Sequence, residues 1–166
     1  MLPGAESSIF KYPQPARKDG REKHMVARDL MQKEVLTVSE DDLLADLCDL
    51  LQQAHIHGAP VVAKDGRLVG FVSQEDVLFG SMSGPPRDED GPGRGEESSG
   101  VFRPTVRDIM TSPAVSAMED TGLRDVCRMM WRLRLHHLPI VNEGKVTGIV
   151  SSLDLCRAIS DGQIPI

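Results

Sequence analysis

Two serine–aspartate pairs carry the most directed polar chemistry in this chain. Ser73 and Asp76 follow Gly70-Phe71-Val72, and Ser151 and Asp154 follow Gly148-Ile149-Val150. A serine three residues ahead of an acid, where a strand hands over to a helix, makes a capping box. The hydroxyl accepts the third helical amide, and the acid reaches back to the serine amide. Such boxes prefer Glu or Gln at the acid position, whereas both pairs hold Asp. The same helix start exposes free N–H groups and positive partial charge, which suit a phosphate. A carboxylate beside it can accept both hydroxyls of a ribose. His57 and His136 each stand three residues before a proline (Pro60, Pro139), and His137 follows His136. His57 and His136 each close a helix-to-strand loop near a helix C-terminus; contacts from an imidazolium to a phosphate would weaken as the pH rises through the ordinary imidazole range, about 6.5.

Covalent chemistry is not expected. Ser73 and Ser151 lack a G-x-S-x-G elbow, and the chain has neither H-E-x-x-H nor C-x-x-C. No catalytic residue and no metal site are assigned, and the chain is not read as an enzyme. Cys48, Cys127 and Cys156 occupy positions where the pattern wants an apolar residue, so buried reduced thiols are expected.

These residues belong to an internal repeat. Asp29-Leu30-Met31 returns as Asp108-Ile109-Met110, His57-x-x-Pro60 as His136-x-x-Pro139, and Gly70-Phe71-Val72-Ser73-x-x-Asp76 as Gly148-Ile149-Val150-Ser151-x-x-Asp154. Thr37 and Ser116 align as well, at the end of a first extended segment. Each copy, at roughly 55 residues, is marginal in the surface it can bury, so the two are expected to share one core.

Composition divides the chain further. Residues 1–25 form an aperiodic arm rich in Pro, Lys and Arg, and the first repeat spans 26–79. Residues 80–104, rich in Gly, Ser, Pro and charge, read as a flexible linker. The second repeat spans 105–160, with a tail over 161–166. The net charge of −6 argues against a general nucleic-acid or anionic-membrane binder. No apolar run approaches the ~20 residues needed to cross a bilayer. The N-terminus lacks the apolar stretch of a secretory signal, so a cytoplasmic location is expected.

Within each copy the periodicity switches in one order: strand, helix, strand, strand, helix. Leu44, Leu47, Cys48 and Leu51 make a helical stripe, matched by Leu123, Val126, Cys127 and Met130. Ser39-Glu40-Asp41-Asp42 offers the first of these helices an N-cap and an acidic first turn. Strands enter through Pro60 and Pro139 and turn back at Lys64-Asp65-Gly66 and Asn142-Glu143-Gly144. Arg128, Arg132 and Arg134 give the later helix a basic, solvated face. Trp131 lies off its buried stripe, where a dimer or partner contact would suit it.

The order of elements, with D-hydrophobic-M, H-x-x-P and G-h-V-S-x-x-D in tandem, resembles a pair of cystathionine-β-synthase (CBS) domains, the Bateman module. The resemblance covers both repeats and omits the arm, linker and tail. It implies an α+β fold of two β-α-β-β-α repeats packed about a pseudo-twofold axis. It further implies clefts between the repeats for adenosine nucleotides (AMP, ADP or ATP), or for S-adenosylmethionine or NAD. The role implied is regulatory, such as energy sensing, with signalling to a protein partner and association into a homodimer. A ligand-free dimerisation or interaction module with vestigial clefts is the alternative. In such relatives Asp76 and Asp154 would hold ribose, and Ser73 and Ser151 would stand near phosphate. His57, His136 and His137 would face the phosphates, and Thr37 and Ser116 would approach the nucleotide. Relatives often carry Arg after the histidine; Gly58 and His137 stand there instead, so the two clefts are expected to differ.

Overall fold

The apolar stripe read from the sequence organises each half. The computed structural model describes residues 25–83 and 103–164. The first half comprises a single helical turn α1 (Ala27–Leu30), β1 (Val38–Ser39), α2 (Leu44–Gln53), β2 (Gly58–Val62), β3 (Leu68–Ser73) and α3 (Gln74–Ser83). The second opens with a 3-10 turn (Val106–Asp108) and continues through β4 (Ala117–Met118), α4 (Leu123–Leu133), β5 (His137–Asn142), β6 (Lys145–Ser151) and α5 (Ser152–Ser160). On α2, Leu44, Leu47 and Leu51 are buried; on α4, Leu123, Val126, Met129 and Met130 are. The α+β class and the element order are as the repeat implies.

Each half carries a three-stranded sheet. β1 runs parallel to β2 with α2 as the crossover, and β2 pairs antiparallel with β3; β4, β5 and β6 repeat this arrangement. A β-strand needs a crossover to reach a parallel neighbour but only a turn to reach an antiparallel one. In the second hairpin Glu143 and Gly144 both have positive φ (50° and 82°), the backbone of a tight turn that twists with its strands.

The halves are joined by exchange of their leading segments. The N–H groups of Ala27 and Arg28 donate to the carbonyls of Thr121 and Glu119, and Leu123 N–H at the start of α4 donates to the Met25 carbonyl (2.9–3.0 Å). The reciprocal set is the same. Val106 and Arg107 donate to Asp42 and Glu40, and Leu44 N–H at the start of α2 donates to the Pro104 carbonyl. A helix start leaves amides without intrahelical partners; here the other repeat supplies a carbonyl.

Packing follows the hydrogen bonds. Ala27 is buried with α4, β5 and β6, joined by Met25, Leu30 and Met31. Val106 is buried with α2, β2 and β3, joined by Ile109 and Met110. The expectation of one shared core is therefore corrected. Among the described residues there are two cores, and each is completed by the other repeat's leader.

Asp29 and Asp108, the acids of the D-h-M motif, accept the amides of Val26 (2.9 Å) and Thr105 (2.7 Å), holding the turns that present Met31 and Met110. The methionines need glycine opposite. A Cβ at Gly70 would lie 2.6 Å from Met110 Sδ and 3.1 Å from the Thr111 carbonyl; one at Gly148 would lie 2.7 Å from Met31 Cγ.

Several local expectations shift. α2 begins at Leu44, so Ser39–Asp42 is not its cap. Asp42 instead accepts the Ser39 amide at 2.8 Å in a turn before the helix. Thr37 and Ser116 lie just ahead of the short strands β1 and β4 rather than at a strand's end. α3 continues to Ser83, past the boundary expected at Phe79. Pro104, within the stretch expected to be linker, is pinned to α2, and Ile164, within the expected tail, packs on the second core. The arm before residue 25, the segment 84–102 and residues 165–166 lie outside the described residues. Cys48 and Cys127 are only half-buried and Cys156 is exposed, so full burial of the thiols is not found; all three are free.

The glycine contacts yield a test of the exchange. Gly148→Ala should overpack the seat of Met31 and cost about 1–3 kcal/mol. Thermal unfolding of Gly148→Ala, Met31→Ala and the double variant should reveal coupling of ~0.5 kcal/mol or more, as for residues in contact. Additive effects would mean that the two do not meet.

Candidate functional site

Strand directions gather the polar residues. Thr37 leads into β1, His57 leads into β2, and Ser73 closes β3, with Gly58 opposite Ser73. Since β1 and β2 are parallel and β3 is antiparallel, Thr37, His57 and Ser73 share one edge of the first sheet. Ser116, His136 and Ser151 share the corresponding edge of the second, with His137 opposite Ser151. The carbonyls of His57 and His136 accept the first amides of the following helices, from Gln74 (2.9 Å) and Ser152 (3.0 Å). The H-x-x-P histidines thus border the helix starts through their backbone. Their side chains are exposed.

Both serine–aspartate pairs form the capping arrangement. Asp76 Oδ2 accepts the Ser73 amide and hydroxyl, each at 2.7 Å, and the Asp76 amide donates to Ser73 Oγ at 3.2 Å. Ser151 and Asp154 repeat this, with an amide bond of 2.8 Å and the hydroxyl close to Oδ2. In each pair one carboxylate oxygen is committed to holding the helix start.

The second oxygens differ. Asp154 Oδ1 accepts Gln32 Nε2 at 2.9 Å and has Arg157 Nη2 at 3.6 Å, and the residue is only 6% exposed. Asp76 is half-buried, and its Oδ1 has no hydrogen-bond partner among the described residues. Burial is the largest influence on the Asp154 carboxyl and opposes its ionisation. Hydrogen bonds from Ser151 and Gln32, with the charge of Arg157, outweigh it, so the group titrates below the ordinary aspartate range.

The histidine positions are unequal too. A Cβ at Gly58 would come within 2.8 Å of both the Phe71 ring and the Val72 carbonyl, so the position opposite Ser73 has no room for a side chain. The Phe71 ring covering Gly58 stacks on His137 of the second repeat, with centroids 6.0 Å apart and planes at 20°. Burial, then repulsion from His57 and His136, depress the pKa of His137, while Asp154 pulls the other way. His57 of one repeat therefore lies near enough to His137 of the other for its charge to be felt across the seam. Because His137 loses its proton below the usual imidazole range, its charge is unavailable to a phosphate at neutral pH unless the anion itself restores it.

Thr37 is exposed and Ser116 is buried (9%); among the described residues no hydrogen bond links either to Asp76 or Asp154. No cluster of His, Cys, Asp and Glu among these residues is arranged to hold a metal ion. Sequence reasoning missed Gln32 altogether. The available signal was the first residue after the repeated D-h-M, which is Gln32 in one copy and Thr111 in the other.

Two sheets with exchanged leaders, each ending in a capped serine–aspartate pair, define a tandem-repeat module of the kind that the motifs resemble. The CBS domain family matches residues 27–82 and 106–161, and the chain belongs to it. Protein MJ1426 of Methanocaldococcus jannaschii is 29% identical over 157 residues, covering 81% of this chain and 91% of its own. The chloroplastic CBS domain-containing protein CBSX1 of Arabidopsis thaliana is 29% identical over 150 residues, covering 81% and 64%. Other relatives are much longer: the chain spans 23% of an inosine-5'-monophosphate dehydrogenase from M. jannaschii, with 29% identity over 132 residues and 79% of this chain covered. Among solved structures, the CBS domain pair of protein MJ0100, in complex with 5'-methylthioadenosine and S-adenosyl-L-methionine, superposes with a TM-score of 0.69 at 21% identity, covering 84% and 98%. CBSX2 in complex with AMP gives 0.67 at 24% identity, covering 84% and 98%.

The depressed His137 pKa has a consequence for stability. Between its folded pKa and about 6.5 the unfolded chain binds a proton that the folded chain refuses, so stability falls as the pH drops through that window. Above it the contribution is complete. Denaturant titrations from pH 7.5 downward should show this loss, and His137→Asn should remove it. A wild-type stability flat across this window would contradict the environment described for His137.

Proposed function

We propose that this CBS pair is a regulatory module that binds an adenosine-containing ligand, AMP, ADP, ATP or S-adenosylmethionine, at the sheet edge carrying Asp76. The observation that carries the reading is the half-committed Asp76 carboxylate: Oδ2 is held by Ser73 at the start of α3, and Oδ1 is left to accept. A carboxylate so oriented can take ribose hydroxyls through charge-assisted bonds of roughly 1.5–3 kcal/mol each. The helix start behind it favours a phosphate or another anionic group. The fold shared with pairs that hold AMP or adenosyl ligands supports the same class. Exposed Thr37 and Leu36, just ahead of β1, are proposed to border the ligand, the leucine as an apolar edge for the base.

The Ser73 hydroxyl and the Asp76 carboxylate are engaged with each other in capping α3, and on this reading the ligand acts as a signal rather than a substrate. It would influence a protein partner by favouring one arrangement of the two repeats, to the extent that it binds that arrangement better. Among the described residues no helix is long and apolar enough to cross a membrane. Trp131 on α4 (79% exposed) and Leu153 on α5 (72%) support association with a second copy or a partner, as large apolar groups in water do.

Thermal unfolding tests the reading. A true ligand at 100 times its dissociation constant adds about 2.7 kcal/mol, a shift of several degrees for a domain of this size. At least one of AMP, ADP, ATP and S-adenosylmethionine should produce it. Asp76→Asn, which keeps the shape of the cap and removes the charge, should weaken binding about tenfold or more. The absence of a shift with all four would favour a ligand-free interaction module.

A further inference from the structure

The two serine–aspartate pairs are presented by the same backbone device. Gln32 exchanges both backbone hydrogen bonds with Ile149 on β6 (2.9 and 3.0 Å), and Thr111 exchanges the same pair with Phe71 on β3 (2.9 and 3.0 Å). Ile149 lies two residues before Ser151, and Phe71 two before Ser73. Pairing between the repeats therefore delivers residue 32 to the edge carrying Asp154 and residue 111 to the edge carrying Asp76. The delivered side chains differ. The Gln32 amide reaches Asp154 Oδ1, while the two-carbon-shorter Thr111 makes no hydrogen bond to Asp76. Arg157 stands near Asp154; the aligned position beside Asp76 is Phe79, which brings no charge.

We infer that Gln32 is a built-in occupant of the second ribose position, so that the module takes one adenosyl ligand per chain, at Asp76. This rests on the adenosyl reading above and adds which site is used and what decides it. With Oδ2 bonded to Ser151 and Oδ1 to Gln32, a ribose reaching Asp154 must compete with a hydrogen bond already made to a charged acceptor that is itself only 6% exposed. Among the described residues, the corresponding oxygen of Asp76 has no such competitor. Residues 32 and 111 thus act as specificity residues although they lie outside the motifs.

The test is calorimetric titration of the full chain with AMP and, separately, with S-adenosyl-L-methionine. The expected stoichiometry is one per chain for the wild type and two for Gln32→Thr. Thr111→Gln, which places the longer amide beside Asp76, should weaken binding at least tenfold. Two equivalents bound by the wild type would overturn the inference while leaving the adenosyl reading intact. So would a single equivalent lost in Asp154→Ala and unaffected by Thr111→Gln. Heat with neither probe for wild type or Gln32→Thr would sink the adenosyl reading itself, and this assignment with it. Because the two substitutions act in opposite directions, misfolding of one does not mimic the pattern.

Discussion

The exchange of leading segments is the constraint on which the rest of the structure depends. Met25–Gln32 supplies carbonyls, amides and apolar side chains to the second sheet, and Pro104–Thr111 supplies the same groups to the first. Without the partner repeat, Leu44 and Leu123 would begin their helices with unpaired amides, and each core would lose its buried Ala27 or Val106. Unmet buried donors and lost apolar burial both cost free energy comparable with the margin of a small domain. Each half is thus completed by the other, which contributes both hydrogen-bond partners and buried apolar surface to it. This explains how repeats of marginal size produce a well-buried module.

The same exchange brings the candidate site to the seam between the repeats. A backbone ladder that carries a methionine into a glycine seat also carries the next residue to the end of the following strand, where the capped aspartate sits. Position 32 or 111 is therefore coupled to the aspartates by geometry rather than by sequence proximity. Replacing one residue in such a ladder changes a site in the other repeat. The asymmetry extends to Gly58, Phe71 and His137, where the missing side chain in one copy makes room for a ring that stacks on the imidazole of the other.

Much of the fold was legible from the residues. The recurrence of D-h-M, H-x-x-P and G-h-V-S-x-x-D gave the two units, and the apolar spacing on α2 and α4 gave their buried faces. The serine–aspartate caps followed from local spacing, because a capping box joins residues only three apart. The route of the leaders did not follow, since a repeated motif is silent on whether it packs within its own copy or across to the other. The single core was inferred from size alone, and size does not distinguish one core from two interdependent ones. The engagement of Asp154 was hidden for a related reason: its partner Gln32 is 122 residues away in the chain. Cys156 stands where the first repeat has Leu78, and such a correspondence carries a residue type, not burial; both positions are exposed.

A crystal structure of the protein grown with AMP tests the central claim most directly. The account predicts ribose hydroxyls on Asp76 Oδ1, with Gln32 still donating to Asp154 across the exchanged ladder. Ribose seated on Asp154 with the Gln32 side chain displaced, beside an empty Asp76, would contradict it.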